Sequence, residues 1–292
     1  MSAPHFQRLV ARISTAGEDT PIRRALPHAD RRMIGAWCFL DHAGPVQFGA
    51  EHGLHVGAHP HIGLQTFTWM IEGEVIHRDS LGNEQVIQPG QVNLMTAGWG
   101  VAHTEDSRVD GSRLHAAQLW IALPDSERHR EPAFENYPEL PRITLGGFSA
   151  TVLAGTVMGQ TAPTRVYSPL MGLDLTSRKA AAARLPLDSD YEHGVLVLRG
   201  SAQVQEENLQ PGEMLYFPPG LSALGLACED DSQLLVLGGK PFGEDILLWW
   251  NFVARTQAEL QTALAQWEAD DARFGSVHPG SQADRLKAPT LG

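Results

Sequence analysis

The sequence predicts an all-β protein made of two copies of a β-barrel unit, closed by one C-terminal α-helix. Three observations predict it. Short apolar runs alternate with glycine and proline punctuation along most of the chain, the pattern of a sandwich or barrel rather than of βαβ units. One block of that pattern occurs twice. A single segment near the end carries a helix signature instead of a strand signature.

The elements follow in order. Residues 62–77 (IGLQTFTWMIEGEVIH) give strands on either side of a Glu72-Gly73-Glu74 turn. Asp79-Ser-Leu-Gly-Asn83 is a second turn, with His77 and Asp79 read as turn residues flanking it. Gln85–Gln88 is a short strand ended by Pro89-Gly90. Gln91–Met95 follows and Thr96–Gly100 breaks it. Leu114–Leu123 is stopped by Pro124. Residues 124–142 are polar and proline-bearing and read as the connection between two halves. The block then repeats. Phe67–Gly73 followed by Ile87-Gln-Pro-Gly and a strand into Gly98 is echoed by Val195–Gly200, Leu209-Gln-Pro-Gly and a strand into Gly220. In the tail, Thr256-Gln-Ala-Glu259 fits a capping box. Leu260, Ala263, Leu264 and Trp267 then share one helix face, and the helix is expected to end by Gly275.

Composition narrows the function. Among 292 residues, 22 Lys and Arg face 34 Asp and Glu, a net charge of −12. Such a chain lacks the basic footprint of nucleic-acid or anionic-membrane binding. Cys38 and Cys228 are too few for a disulfide framework or a cysteine-rich zinc cluster, and read as buried thiols of a reducing compartment. The first residues carry no apolar leader core. No run approaches roughly 18 uninterrupted apolar residues, so no membrane span is expected. A cytoplasmic location follows as the expectation.

The chemistry is expected at His59-Pro60-His61 and His103-Thr104-Glu105. Within each pair the residues stand two apart, so on a strand both side chains point to one face. Two such pairs on neighbouring strands would place three imidazoles and one carboxylate inside a barrel. Nitrogen and carboxylate donors suit one divalent first-row ion: iron, manganese, cobalt, nickel, copper or zinc. With no thiol in the set, a structural zinc site is disfavoured. Four protein ligands on an octahedral ion leave two open positions, which suits catalysis.

These segments resemble a known family. His59-Pro-His-Ile-Gly-Leu-Gln-Thr-Phe-Thr-Trp-Met-Ile-Glu-Gly73, His77–Gly82 and Pro89–Glu105 look like the pirin family of the cupin superfamily. Asp41–Pro45 and Leu114–Trp120 look like its flanking elements. The resemblance implies two tandem cupin domains, that is, jelly-roll β-barrels. The N-terminal metal-binding domain is expected over residues 1–135. A degenerate C-terminal cupin is expected over 136–292, with its helix at about 256–275. The family's metal ligands fall on His59, His61, His103 and Glu105, and its usual ion is Fe(II). Gln65 stands where the general cupin pattern has a glutamate, and reads as a pocket or second-sphere residue, as do Trp99 and Gln118. The second half offers Tyr191-Glu-His-Gly194 and no histidine after Pro219-Gly220. It therefore lacks a comparable ligand set, and His193 reads as structural or exposed.

Two functions follow from the resemblance. One is a metal-dependent dioxygenase of the quercetin 2,3-dioxygenase type, acting with O2 on a flavonol-like enol, with Glu105 as ligand and general base. The other is a non-enzymatic metal- or redox-sensing pirin that binds a regulator or a metabolic enzyme. Its acidic surface would then meet a basic protein partner.

Overall fold

The computed structural model describes residues 6–17 and 20–291. The first five residues of the segment read above for a leader lie outside that range. About half of the described chain is β-strand, paired antiparallel in its sheets, with one α-helix, Gln257–Glu268. The expected architecture of two cupin jelly rolls and a C-terminal helix holds. None of the described helical structure is long and apolar enough to cross a membrane.

The chain divides into two compact units. One comprises Met1–Ile13, Arg23–His42 and Glu139–Phe242; the other comprises Ser14–Ile22, Ala43–Pro138 and Gly243–Gly292.

In the first of these, a seven-stranded sheet runs in the order Gln7–Val10, Glu213–Phe217, Glu192–Arg199, Ser232–Gly239, Leu170–Ser177, Phe148–Ala154, Arg142–Leu145. A four-stranded sheet runs Ala181–Pro186, Ala223–Cys228, Ala202–Val204, Glu207–Leu209. Alternate residues of both sheets turn inward, as the strand period of two requires. Phe148, Leu173, Val195, Leu215, Phe217 and Val236 from the first meet Leu185, Val204, Leu224 and Leu226 from the second in one core. His193 is fully buried beside this core, and neither ring nitrogen has a hydrogen-bond partner among the described residues. Burial pushes its pKa down to about 4, against a weak opposing pull from Asp188. The unfolded chain therefore takes up this proton first as the pH falls. The stabilisation is complete above the ordinary histidine value of about 6.5 and is lost progressively down to about 4. It amounts to about 3 kcal/mol over that window. Urea unfolding at pH 7 and pH 4 should show His193→Leu losing less stability between the two than the wild type, by about that amount. Equal losses would refute the assignment.

In the other unit, one sheet runs His55–His61, Val101–Ser107, Val75–Asp79, Glu84–Ile87. The strands Ala133–Tyr137, Val92–Thr96, Leu64–Glu72 and Arg113–Ala122 are neighbours in a second sheet. Met70, Leu114 and Ala116 of the second pack on Val75 and Ile87 of the first. The internal repeat is real at the level of the turn. Gln91 N–H donates to the Gln88 carbonyl (3.1 Å) and Glu213 N–H to that of Gln210 (2.9 Å). Both enclose Pro-Gly, with Gly90 at φ 84° and Gly212 at φ 88°, the conformation that a type II turn demands of its third residue.

The helix begins as predicted. Thr256 Oγ1 accepts from Glu259 N–H at 3.2 Å, while Glu259 reaches back one residue further than an ideal box, to Arg255 N–H (2.9 Å). Leu260, Ala263 and Trp267 are buried, and Leu264 is half-buried. The helix stops at Glu268, short of Gly275. Ala269 and Asp270 N–H close onto the Ala265 and Trp267 carbonyls, and Asp270 turns left-handed at φ 52°, which ends a helix as a C-terminal cap. The buried face packs on Ile62, Ala102, Phe252 and Phe274. The helix therefore covers the outside of the sheet whose inside carries the histidines. The tail returns along the same sheet. Leu286 N–H donates to the Ala58 carbonyl (2.9 Å), and Ser281 Oγ and Gln282 N–H both donate to Asp106 Oδ1.

Candidate metal centre

His59 and His61 come from strand His55–His61 and His103 from its antiparallel neighbour, where His103 lies opposite His59. Residues two apart share a face, and cross-strand partners share it too. The three rings converge, with centroids 4.3 Å apart for His59–His103 and 5.0 Å for the other two pairs. One ring nitrogen of each lies within 4.8 Å of the others, and all three residues are buried.

The hydrogen bonds decide which nitrogens point inward. His59 Nδ1 lies 2.8 Å from the Gly57 carbonyl and His61 Nδ1 3.1 Å from that of Asn251. A carbonyl only accepts, so in both rings Nδ1 carries the proton and Nε2 keeps its lone pair. Burial drives the pKa of His59 down to about 4, and those of His61 and His103 well below the ordinary value; the neighbouring histidines add to the effect. All three are thus neutral near pH 7, the form that binds a metal. His61 Nε2 and His103 Nε2 stand 3.1 Å apart. Two imidazole nitrogens each about 2.1 Å from one ion would be separated by about 3 Å at a right angle. The donor set and its spacing therefore fit a divalent transition ion.

Glu105 follows on the same strand. The register against His55–His61 slips between His103 and Glu105. Against Val75–Asp79 it continues unbroken, with His103 opposite Asp79 and Glu105 opposite His77. Glu105 thus keeps the histidine face, though its carboxylate is not within the three-histidine group among the described residues. Burial raises its pKa to about 7, and the Asp106 carboxylate adds to this.

The remaining expected residues are placed differently. Gln118 is half-buried and accepts from Thr68 Oγ1 at 2.7 Å. It shares a face with Trp120, whose ring stands edge-on to His61 at 5.2 Å. Gln65 lies opposite Ile121, one step off the Thr66–Trp120 pair. Its side chain leaves the other face of the strand and donates to Thr96 Oγ1 (2.9 Å). Trp99 is 47% exposed, with the Arg273 guanidinium over its ring at 4.1 Å. It lines a surface cavity of about 240 Å3 with His129, Glu259 and Arg273, and none of the three converging histidines lines that cavity.

Sequence reading missed His77 and Asp79. Asp79 does hold its turn, accepting from Leu81 N–H, Asn83 N–H and Asn83 Nδ2. Both residues are nevertheless buried on the histidine face. His77 stacks flat on Phe134, 4.3 Å away. Its nitrogens face His103 Nδ1 (3.2 Å) and Asp79 Oδ2 (3.1 Å). Burial would raise the Asp79 pKa, but hydrogen bonds from His77 and Asn83 outweigh it and hold the carboxyl below its ordinary value. The available signal was their spacing of two, the same that marks the ligand pairs.

Two jelly rolls, one of them enclosing a histidine group able to hold a metal ion, define a bicupin. Comparison with known proteins gives the family. The sequence matches the Pirin family over residues 19–121 and the Pirin C-terminal cupin domain over residues 172–275. It is 51% identical to a Pseudomonas aeruginosa protein named "Putative quercetin 2,3-dioxygenase", over 98% of this chain and 90% of that one. The crystal structure of a quercetin 2,3-dioxygenase from Acinetobacter baumannii superposes with TM-score 0.96 at 49% identity, covering 98% of this chain and 96% of that one. An Escherichia coli pirin solved in complex with nickel(II) has the same fold, with TM-score 0.64 at 20% identity, covering 81% of this chain and all of that one. The chain belongs to the pirin family.

Proposed function

We propose that this pirin is a metal-dependent dioxygenase that opens a flavonol-like enol with O2, using one ion held by His59, His61, His103 and Glu105. The observation that carries the reading is the convergence of three neutral, buried imidazoles, with Glu105, whose pKa burial raises to about 7, two residues beyond His103 on the same strand. The names of its relatives point to the same substrate class. A bound divalent ion would act as a Lewis acid and lower the pKa of an enol hydroxyl.

The chain's own residues do the rest. The Gly57 and Asn251 carbonyls orient His59 and His61. Trp120 supplies an apolar wall edge-on to His61, and Phe134 stacks on His77 behind His103. Glu105, poised near neutrality, takes the enol proton. The ion we assign is iron(II). Nickel(II) is its nearest competitor, given the nickel complex of the E. coli relative. Cys38 and Cys228 are both buried, and two buried cysteines suit the reducing cytoplasm in which we place the protein.

The test is metal analysis and oxygen uptake with quercetin in the same sample. The wild type should carry about one ion per chain and consume O2 with quercetin. Glu105→Gln should stay folded and lose about 100-fold or more in rate. A fully loaded wild type that consumes no oxygen would overturn the reading and favour a metal sensor.

A further inference from the structure

The three histidines do not obtain their orientation in the same way. His59 and His61 each donate to a main-chain carbonyl, which no substitution removes. The partner of His103 is a side chain. Its Nδ1 faces His77 Nδ1 at 3.2 Å, and His77 Nε2 faces Asp79 Oδ2 at 3.1 Å. All three residues are buried, Asp79 completely.

The protons along this line can be assigned in sequence. Asp79 accepts from Leu81 N–H, Asn83 N–H and Asn83 Nδ2–H, so every contact around it is with a donor. It is an ionised carboxylate, and it only accepts. His77 Nε2 must then be the donor to it. A neutral imidazole protonated at Nε2 presents a lone pair at Nδ1. With His77 taken as this neutral tautomer, its Nδ1 lone pair needs a donor, so the facing His103 Nδ1, 3.2 Å away, carries the proton. That leaves the His103 Nε2 lone pair aimed at His61 Nε2, 3.1 Å away.

We propose that Asp79 and His77 form a hydrogen-bonded relay that fixes His103 in its metal-binding tautomer and sets its ring angle. They are positioning residues and act through His103. Metal-bound histidines are commonly backed by such acceptors, and losing one typically weakens metal binding 10- to 100-fold. Here the backing passes through a second imidazole, and it serves the one ligand of the three whose tautomer depends on side chains. The proposal rests on the reading of His103 as a ligand.

Nickel(II) alone, titrated against a competing chelator, provides the first readout. His77→Phe keeps the ring shape and its stacking on Phe134 but removes the acceptor. It should bind nickel about 10- to 100-fold more weakly than the wild type. His77→Gln can accept from His103 and donate to Asp79 through one amide, and should recover most of the affinity. Nitrogen-15 NMR of the metal-free wild type supplies a readout that needs no variant: the His103 proton should reside on Nδ1. Nickel binding by His77→Phe within twofold of wild type, or a His103 proton on Nε2, would overturn the relay. A wild type that binds no nickel would overturn the ligand reading itself, whichever nitrogen carries the proton.

Discussion

Replacing His61 with alanine should lower bound metal from about one ion per chain to below a tenth, with the protein still folded. His61 is central to the group: its Nε2 is 3.1 Å from that of His103, and its ring is 5.0 Å from both other imidazoles. The variant leaves two imidazoles and the proposed Glu105 ligand, too weak a set to keep an ion through dialysis. Folding survives because the core of this unit is apolar packing, with Met70, Val75, Ile87, Leu114 and Ala116 away from the imidazoles. The structural cost is the Asn251 carbonyl left without its donor, about 1 to 3 kcal/mol. Metal analysis after dialysis, with circular dichroism on the same sample, checks both halves. Retained metal at wild-type occupancy would show that the imidazoles converge for another reason.

The largest loss of stability is expected from Trp37→Ala in the other unit. Trp37 is fully buried. Its indole N–H is shared between the Met171 and Gly238 carbonyls at 3.2 and 3.3 Å, and its ring would sit 3.5 Å from a Cβ at Gly172. It is thus both a filler and a hydrogen-bond donor between two strands. Truncating a buried tryptophan to alanine costs about 3 to 5 kcal/mol, and depriving two buried carbonyls adds to that. Against a total stability of about 5 to 15 kcal/mol, much of the margin disappears. The melting temperature should fall by about 10 °C or more. Trp37→Phe, which keeps most of the volume and loses only the donor, should fall much less. A melt within a few degrees of wild type for the alanine variant would refute this account.

Much of this was legible in the sequence because it rests on local rules. A period of two with glycine and proline stops gave the strands, and the repeated Gln-Pro-Gly gave two matching turns at Gly90 and Gly212. The spacing of His59 with His61 aimed both at one face, and Thr256 marked the helix start. The helix ends before Gly275 because Asp270, not a glycine, makes the left-handed turn. What stayed hidden depends on contacts between distant residues. The acceptor for His61 is the main-chain oxygen of Asn251, and a carbonyl is common to every residue type. His77 and Asp79 were hidden differently. Asp79 satisfies the turn signature so well that its second role, as acceptor for a buried imidazole, left no separate trace.

The closeness of the tail to the histidine strand has a consequence for the order in which the centre is finished. A Cβ at Gly57 would lie 1.7 Å from the Asp284 carbonyl oxygen, so the strand is shaped to receive residues made more than two hundred positions later. His59 finds its acceptor two residues away, and that lock closes as soon as the strand forms. His61 must wait for Asn251. A nascent chain translated only as far as residue 240 already contains every imidazole of the group, yet nothing holds the Nδ1 proton of His61 in place. The ligand side chains therefore precede the orientation of His61, which belongs to a chain that has reached residue 251.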